Sequence, residues 1–242
     1  MLLSGAVFAA VDAAFDPGPI VPAPNPWFSW SYVTSHIDQL AAAGREHILL
    51  TVTAVVLAIV IAVPLGLVVR RFPVLEAPVL GLGGILYTIP SLALISVLWP
   101  VFGLSPWTVV IALTVYALLV VLRNTVVGLK GVPPDAVDAA RGMGYSKMRI
   151  LYGVELPLAT PTILAGIRVA MVSTVGLVTI GALVGYGGFG SLIYSGFLSN
   201  FWHAQIMTAT IACVLLAIVL EILLQMLERV LTPWARSQRG SL

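Results

Sequence analysis

The chain's 242 residues are 60% hydrophobic and only 9% charged, with a mean hydropathy of +1.05 and a formal net charge of +2. This excludes an ordinary water-soluble domain, in which about a quarter of residues are charged. The composition is that of an integral membrane protein.

Met1 to Ala14 is mildly apolar, and Pro17 to Pro26 carries five prolines in ten residues. No basic stretch precedes the short apolar run, so a cleaved signal peptide is not expected. Residues 1–45 read as an extracytoplasmic extension, partly disordered or lying on the membrane surface, where Trp27, Trp30 and Tyr32 suit the interface. A re-entrant or crossing segment is the other reading.

Ile48 to Val69 holds no charged residue, and a crossing needs roughly 20 apolar residues, so a first helix is expected near 48–69. Only helices suit such long continuous runs. Ala77 to Leu122 is also free of charge and two crossings long; Pro100, Gly103 and Pro106 divide it into helices near 78–99 and 107–129. Pro90 removes a backbone hydrogen bond from the first of these and bends it. Ser91 beside it offers a hydroxyl to a passing solute, and a pathway-lining bend and a packing kink both fit.

Val169 to Leu220 completes the set, giving helices near 157–184 and 204–228 on either side of the Gly/Ser/Asn-rich segment 185–200. Five crossings put the termini on opposite sides. Arg70 and Arg71 follow the first, Arg123, Lys130, Arg141, Lys147 and Arg149 the third, and Arg229, Arg236 and Arg239 the fifth, which is ten of the twelve basic residues on one side. The positive-inside rule therefore predicts an outside N-terminus, a cytoplasmic loop over 130–156 and a cytoplasmic tail over 230–242.

That loop holds a polar island. Pro133, Pro134 and Asp135 make a good helix start, since proline fits the first turn and an early carboxylate suits the positive end of the dipole. Ala136, Val137, Asp138, Ala139, Ala140 and Arg141 continue it, and Gly144 is the expected stop because glycine accepts the left-handed conformation. The ten residues from Pro134 span about 15 Å at 1.5 Å per residue, too short to cross a membrane. Physical chemistry alone leaves two readings open, a plug for a socket on a soluble partner and a solvated basic loop near anionic lipid.

The pattern Asp138-Ala139-Ala140, Gly144 four residues after Ala140, nine residues, then Val154-x-Leu156-Pro157 resembles the EAA loop of binding-protein-dependent ABC importer permeases. It departs from that loop at Asp138, where glutamate is usual, and at Val154, where isoleucine is usual; both changes keep the chemistry. Thr88 to Ala93, Arg123-Asn124-Thr125 and Gly185 to Gly190 resemble the osmoprotectant branch, and the likeness runs from about Glu46 to Arg229.

The resemblance implies an all-α type I importer transmembrane domain over residues 46–229, with five core helices and an N-terminal extension. It implies a coupling helix in which Asp138, Ala139, Ala140, Arg141 and Gly144 seat against an ATPase subunit while Leu156 and Pro157 begin the next membrane helix. Its implied partners are ABC ATPase subunits that bind ATP and Mg, a second permease chain, related or identical, an extracytoplasmic substrate-binding protein and the bilayer of a prokaryotic cytoplasmic membrane. The implied cargo is glycine betaine, choline, carnitine or proline. A permease for another small solute such as an amino acid, or a self-sufficient secondary transporter, are the alternatives. No nucleic-acid partner is expected.

No cofactor is expected in the chain itself, which lacks a Gly-x-x-x-x-Gly-Lys-Ser/Thr phosphate loop, so it is read as a membrane subunit rather than an enzyme. Gly185-x-Gly187-x-x-Gly190 fits a dinucleotide fingerprint but follows a membrane helix, so it is read as a flexible outer turn or gate containing Gly187 and Gly188. Arg168 and Glu221 are costly inside spans; pairing or lining a vestibule is one reading, snorkelling to the headgroups the other. His36, His47, His203 and Cys213 are scattered and propose no metal site or catalytic constellation.

Overall fold

A computed structural model describes residues 25–236; the expectations for residues 1–24 and 237–242 lie outside them. Among the described residues every regular element is helical. A short helix α1 (Trp30–Ser35) precedes α2 (Ile37–Arg71), α3 (Glu76–Thr88), α4 (Ser91–Phe102), α5 (Pro106–Lys130), α6 (Pro134–Gly142), α7 (Lys147–Ile150), α8 (Leu156–Val178), α9 (Phe189–Leu198) and α10 (His203–Leu231).

α2 starts well before the expected residue 48. Ala41, Ala42 and Ala43 are strong helix formers and no proline interrupts them, so the polar stretch holding Arg45, Glu46 and His47 joins the apolar run as one helix of 35 residues. At 1.5 Å per residue that is about 52 Å, against roughly 30 Å of hydrocarbon. Its first turns therefore project beyond the membrane core. Of the aromatic residues placed at the interface, Trp27 and Trp30 are exposed, whereas Tyr32 is buried with its ring stacked on His36 and edge-on to Trp202. Burial pushes the Tyr32 phenol above its ordinary range.

The expected helix 78–99 is two helices bent by 94° at Ile89 and Pro90. Proline disfavours the α conformation of the residue before it, and both residues are extended, with ψ of 126° at Ile89 and 135° at Pro90. The Tyr116 hydroxyl, from α5, donates to the Ile89 carbonyl at the break. The bend is thus held from outside the broken helix.

α5 is the hub, packed along α2 on one side and α8 on the other. In its apolar window 61% of residues are buried, against 11% for α10, which leaves most of α10 facing outward. Small residues permit close approach: a Cβ on Gly128 would lie 3.0 Å from the Ala159 carbonyl of α8. Val55, Val121, Leu122, Leu129, Ala159 and Ile163 form a core toward the basic end, and Val137, Ala140 and Ile150 from the loop join it.

Two stretches read as loop are helical. The polypeptide from Lys147 is helical through to Val184, 38 residues in all, with a wide π turn at Leu151–Glu155. Pro157 cannot donate to the Gly153 carbonyl, and a π turn is a common accommodation of a disturbed ladder. At the other end, α9 lies within the segment expected to be a flexible turn; its ten residues are apolar but too few to cross.

Candidate coupling surface and solute pathway

α6 opens on Pro134 and carries Asp135 in its first turn, then ends against Gly144, whose φ of +79° is the left-handed conformation that favours glycine. Gly144 N–H donates to the Arg141 carbonyl at 2.9 Å, and Tyr145 N–H to the Ala140 carbonyl at 3.1 Å. Two of the helix's last carbonyls are satisfied this way.

Helical periodicity then sorts its residues. Val137 and Ala140 turn inward, and Ala140 is only 1% exposed, so it packs in the chain's own core rather than on an outer seat. Asp138, Ala139 and Arg141 are exposed, with Asp138 and Arg141 ion-paired at 2.8 Å on the outer face. Met143, Met148 and Tyr152 continue that face as exposed apolar groups, and Arg149 lies 4.0 Å over the Tyr145 ring. The result is an amphipathic platform, polar along α6 and apolar at its far edge. Position in the loop does not say which of its apolar residues are packed: Met143 and Met148 are exposed whereas Val137 and Ile150 are buried, and only tertiary placement separates them.

Leu156 and Pro157 open α8, with Leu156 packed on the core. Glu155, one residue earlier, accepts from Arg70 at the end of α2 at 2.9 Å, and Lys130 donates to Glu76 of α3 at 2.7 Å. These two pairs join α2 to the turn before α8 and α5 to α3 at the basic end.

Arg168 and Glu221 are brought together. The Arg168 Nε donates to Glu221 Oε1 at 3.0 Å and its Nη2 to the same oxygen, while Nη1 donates to Glu228 at 2.8 Å; Gln225 Nε2 also donates to Glu221 at 2.9 Å. One guanidinium therefore fastens α8 to two turns of α10, in the half of the molecule nearer the platform. Glu228 was missing from the sequence reading because it lies at the end of its span, where a carboxylate is unremarkable.

Pro90 and Ser91 stand apart from these groups, at the 94° break, with Pro90 exposed and Ser91 half-buried. Tyr87 is exposed beside them and meets the Tyr116 ring edge-on at 5.7 Å.

Gly187 and Gly188 are not in a flexible turn. A Cβ on Gly187 would meet the Ala182 backbone, one on Gly190 the Thr179 backbone, and one on Gly188 would lie 2.6 Å from His47 Cβ. Their backbone is also held: Gly187 N–H donates to Ser191 Oγ at 3.2 Å, Gly188 N–H to Glu46 at 3.1 Å and Phe189 N–H to His47 Nδ1 at 3.3 Å. Glycine serves here for close approach, and the turn is jammed rather than loose.

A bundle of apolar helices, with a sharp bend in one and an amphipathic surface at its basic end, is the architecture of a membrane-spanning protein. The chain belongs to the family of binding-protein-dependent transport system inner membrane components, whose model matches residues 48–237. It is 40% identical over 207 residues to the osmoprotectant import permease protein OsmW of Salmonella typhimurium, covering 84% of this chain and 96% of that one. It is 36% identical to the carnitine transport permease protein OpuCB of Listeria monocytogenes (78% and 87% covered) and to the choline transport system permease protein OpuBB of Bacillus subtilis (84% and 93%). Among solved structures, inward-facing MetNI methionine ABC transporter matches with a TM-score of 0.74 at 23% identity, over 82% of this chain and 98% of that one, a likeness of fold. The chain is thus the membrane permease of an ABC importer, and nucleotide binding and hydrolysis in this family belong to separate ATPase subunits.

Proposed function

We propose that this chain forms half of the solute pathway of an importer for small osmoprotectants of the glycine betaine, choline, carnitine or proline class. Residues 46–229 are its transmembrane domain, with the N-terminus outside and the platform in the cytoplasm. Its partners are a second permease chain, two ATPase subunits that bind ATP and Mg, and an extracytoplasmic substrate-binding protein. The reading is carried by α6, a short helix with a charged outer face and an apolar inner one, whose Val137 and Ala140 pack into the core at the basic end of the spans.

Movement of the ATPase subunits presses on Asp138, Ala139, Arg141 and Gly144. Residues 147–184 are helical, with one widened turn at Leu151–Glu155, so displacement at that end has a continuous helix along which to travel. The pathway opens outward when the ATPases close and resets on hydrolysis. The bend at Pro90 and Ser91, with Tyr87 exposed beside it, lies on that pathway: a broken span leaves backbone dipole ends at membrane depth, and an aromatic face suits a quaternary ammonium group.

The test is uptake of labelled glycine betaine, choline, carnitine and proline by cells lacking this chain, complemented with wild type or Gly144→Asp. A side chain at φ +79° costs about 1–2 kcal/mol, and the added carboxylate faces the seat. Wild type should restore at least one uptake and Gly144→Asp should reduce it about tenfold with the protein still inserted. Equal restoration by both would refute the coupling assignment, and restoration of none would move the cargo to another small solute.

A further inference from the structure

His47 is fully buried, and both of its ring nitrogens are committed to backbone groups of other elements. Nδ1 faces the Phe189 N–H at 3.3 Å and so must accept; Nε2 faces the Val175 carbonyl at 2.9 Å and so must donate. This pair of contacts selects one neutral tautomer, protonated on Nε2. The preceding residue, Glu46, accepts from Gly188 N–H at 3.1 Å. Two consecutive side chains of α2 therefore satisfy the first two free N–H groups of α9, the task usually given to a helix's own cap residue. Gly188 itself, at φ +53° and with no side chain, offers none.

The arrangement joins three elements at one imidazole: α2, which supplies it, α8, whose Val175 carbonyl it holds, and α9, whose N-terminus it caps. His47 and Phe189 rings lie 5.5 Å apart, and the Phe189 ring tip would sit 3.1 Å from a Cβ on Gly44, so the same turn of α2 also packs on α9. At the far end of α9, Gln205 Nε2 donates to the Leu192 carbonyl at 2.8 Å and to Ser195, which anchors it to α10. The hairpin is also tied directly to the helix that leads from the platform, through Gly187 on the Ala182 backbone and Gly190 on the Thr179 backbone, so what the N-terminal anchor adds is the hold on α2.

We propose that Glu46 and His47 are positioning residues that make α2 move with the outer hairpin, residues 185–198, and with the end of α8, so that binding-protein docking at the outer mouth reaches the platform through α2 as well as through α8. This rests on the importer reading above. Without the two acceptors the hairpin stays interlocked with Ala182 and Thr179 and attached through α10, and α2 moves without it.

The experiment is ATP hydrolysis by the complete transporter in lipid nanodiscs, with and without solute-loaded binding protein, for wild type, His47→Leu, His47→Gln, Glu46→Ala and Glu46→Gln. Glutamine keeps a donor and an acceptor at position 47 and an acceptor at position 46. The expected result is unchanged basal hydrolysis in every variant that assembles. Stimulation by the binding protein should fall about tenfold in His47→Leu and about threefold in Glu46→Ala, and should be kept in both glutamine variants, in the range usual for coupling between sites. Full stimulation in His47→Leu or Glu46→Ala, or glutamine variants as defective as leucine and alanine, would overturn the inference. If His47→Leu does not assemble, the Glu46 pair decides, since that side chain is only half-buried. A wild type that the binding protein does not stimulate would instead overturn the importer reading.

Discussion

The two ends of this bundle are held together by different physics. At the basic end the spans are joined by ion pairs between side chains: Arg70 with Glu155, Lys130 with Glu76, and Arg168 with Glu221 and Glu228. At the other end they are joined by side chains that satisfy backbone groups and by glycines into which no Cβ fits. Ion pairs with exposed members contribute at most about 1 kcal/mol and tolerate displacement, whereas interlocked backbones do not slide. The contrast fits the proposed coupling through the loop, in which the driven end would shift among ion-pair arrangements and the far end would travel as a block.

The largest effect should come from overfilling the jammed end. In Gly190→Val the new side chain falls on the Thr179 backbone, which cannot swing aside, so a loss of about 3 kcal/mol or more is expected. Thermal unfolding of the detergent-solubilised protein would read this, and a wild-type melting curve would break the contrast.

Next come two alanines of α6 that look alike in sequence. Ala140→Arg places a long cation in a position 1% exposed and should cost about 3 kcal/mol and most of the assembled protein. Ala139→Arg, on the exposed face, should leave folding intact while reducing uptake about tenfold. Similar yields on a membrane-fraction immunoblot would show that the inward and outward faces of α6 are wrongly assigned.

Arg168→Ala leaves two carboxylates facing each other without their cation and should cost about 2 kcal/mol. The double variant Arg168→Glu, Glu221→Arg restores opposite charges across the same gap and should recover part of it; a melting temperature no higher than that of either single variant would sharpen the contrast against this pair. The smallest effect belongs to Lys130→Ala, whose partner Glu76 remains accessible to water. A change under about 1 kcal/mol is expected, and a larger one would mean that the basic end is as rigid as the other.

Much of this was legible in the linear chain because the bilayer imposes a length and a polarity on anything that crosses it. Charge-free runs marked the four helices long and apolar enough to cross a membrane, and Pro90, which cannot continue a helical ladder, marked the bend in the expected helix 78–99, though not its 94°. The family was legible because the Asp138 to Pro157 spacing is specific. Glu46 and His47 were not, since a glutamate and a histidine at the edge of an apolar run look like ordinary solvated residues. Their role depends on partners 142 and 128 residues away along the chain. The glycines misled for a related reason: glycine permits looseness and close packing alike, and only the neighbours decide which.

The sequence by itself therefore determined that the chain is a helical membrane protein with a polar helix in its basic loop, because hydropathy, proline and charge act locally and need no partner to be read, and the resemblance of the Asp138 to Pro157 pattern added the permease family. The tertiary structure decided the rest: that Ala140 faces inward and Ala139 outward, that one guanidinium of α8 joins two carboxylates of α10, and that the glycine-rich turn is locked by α2. Each of these depends on which helix lies beside which, and side-chain packing over such separations is set by the folded bundle rather than by any stretch of the chain alone.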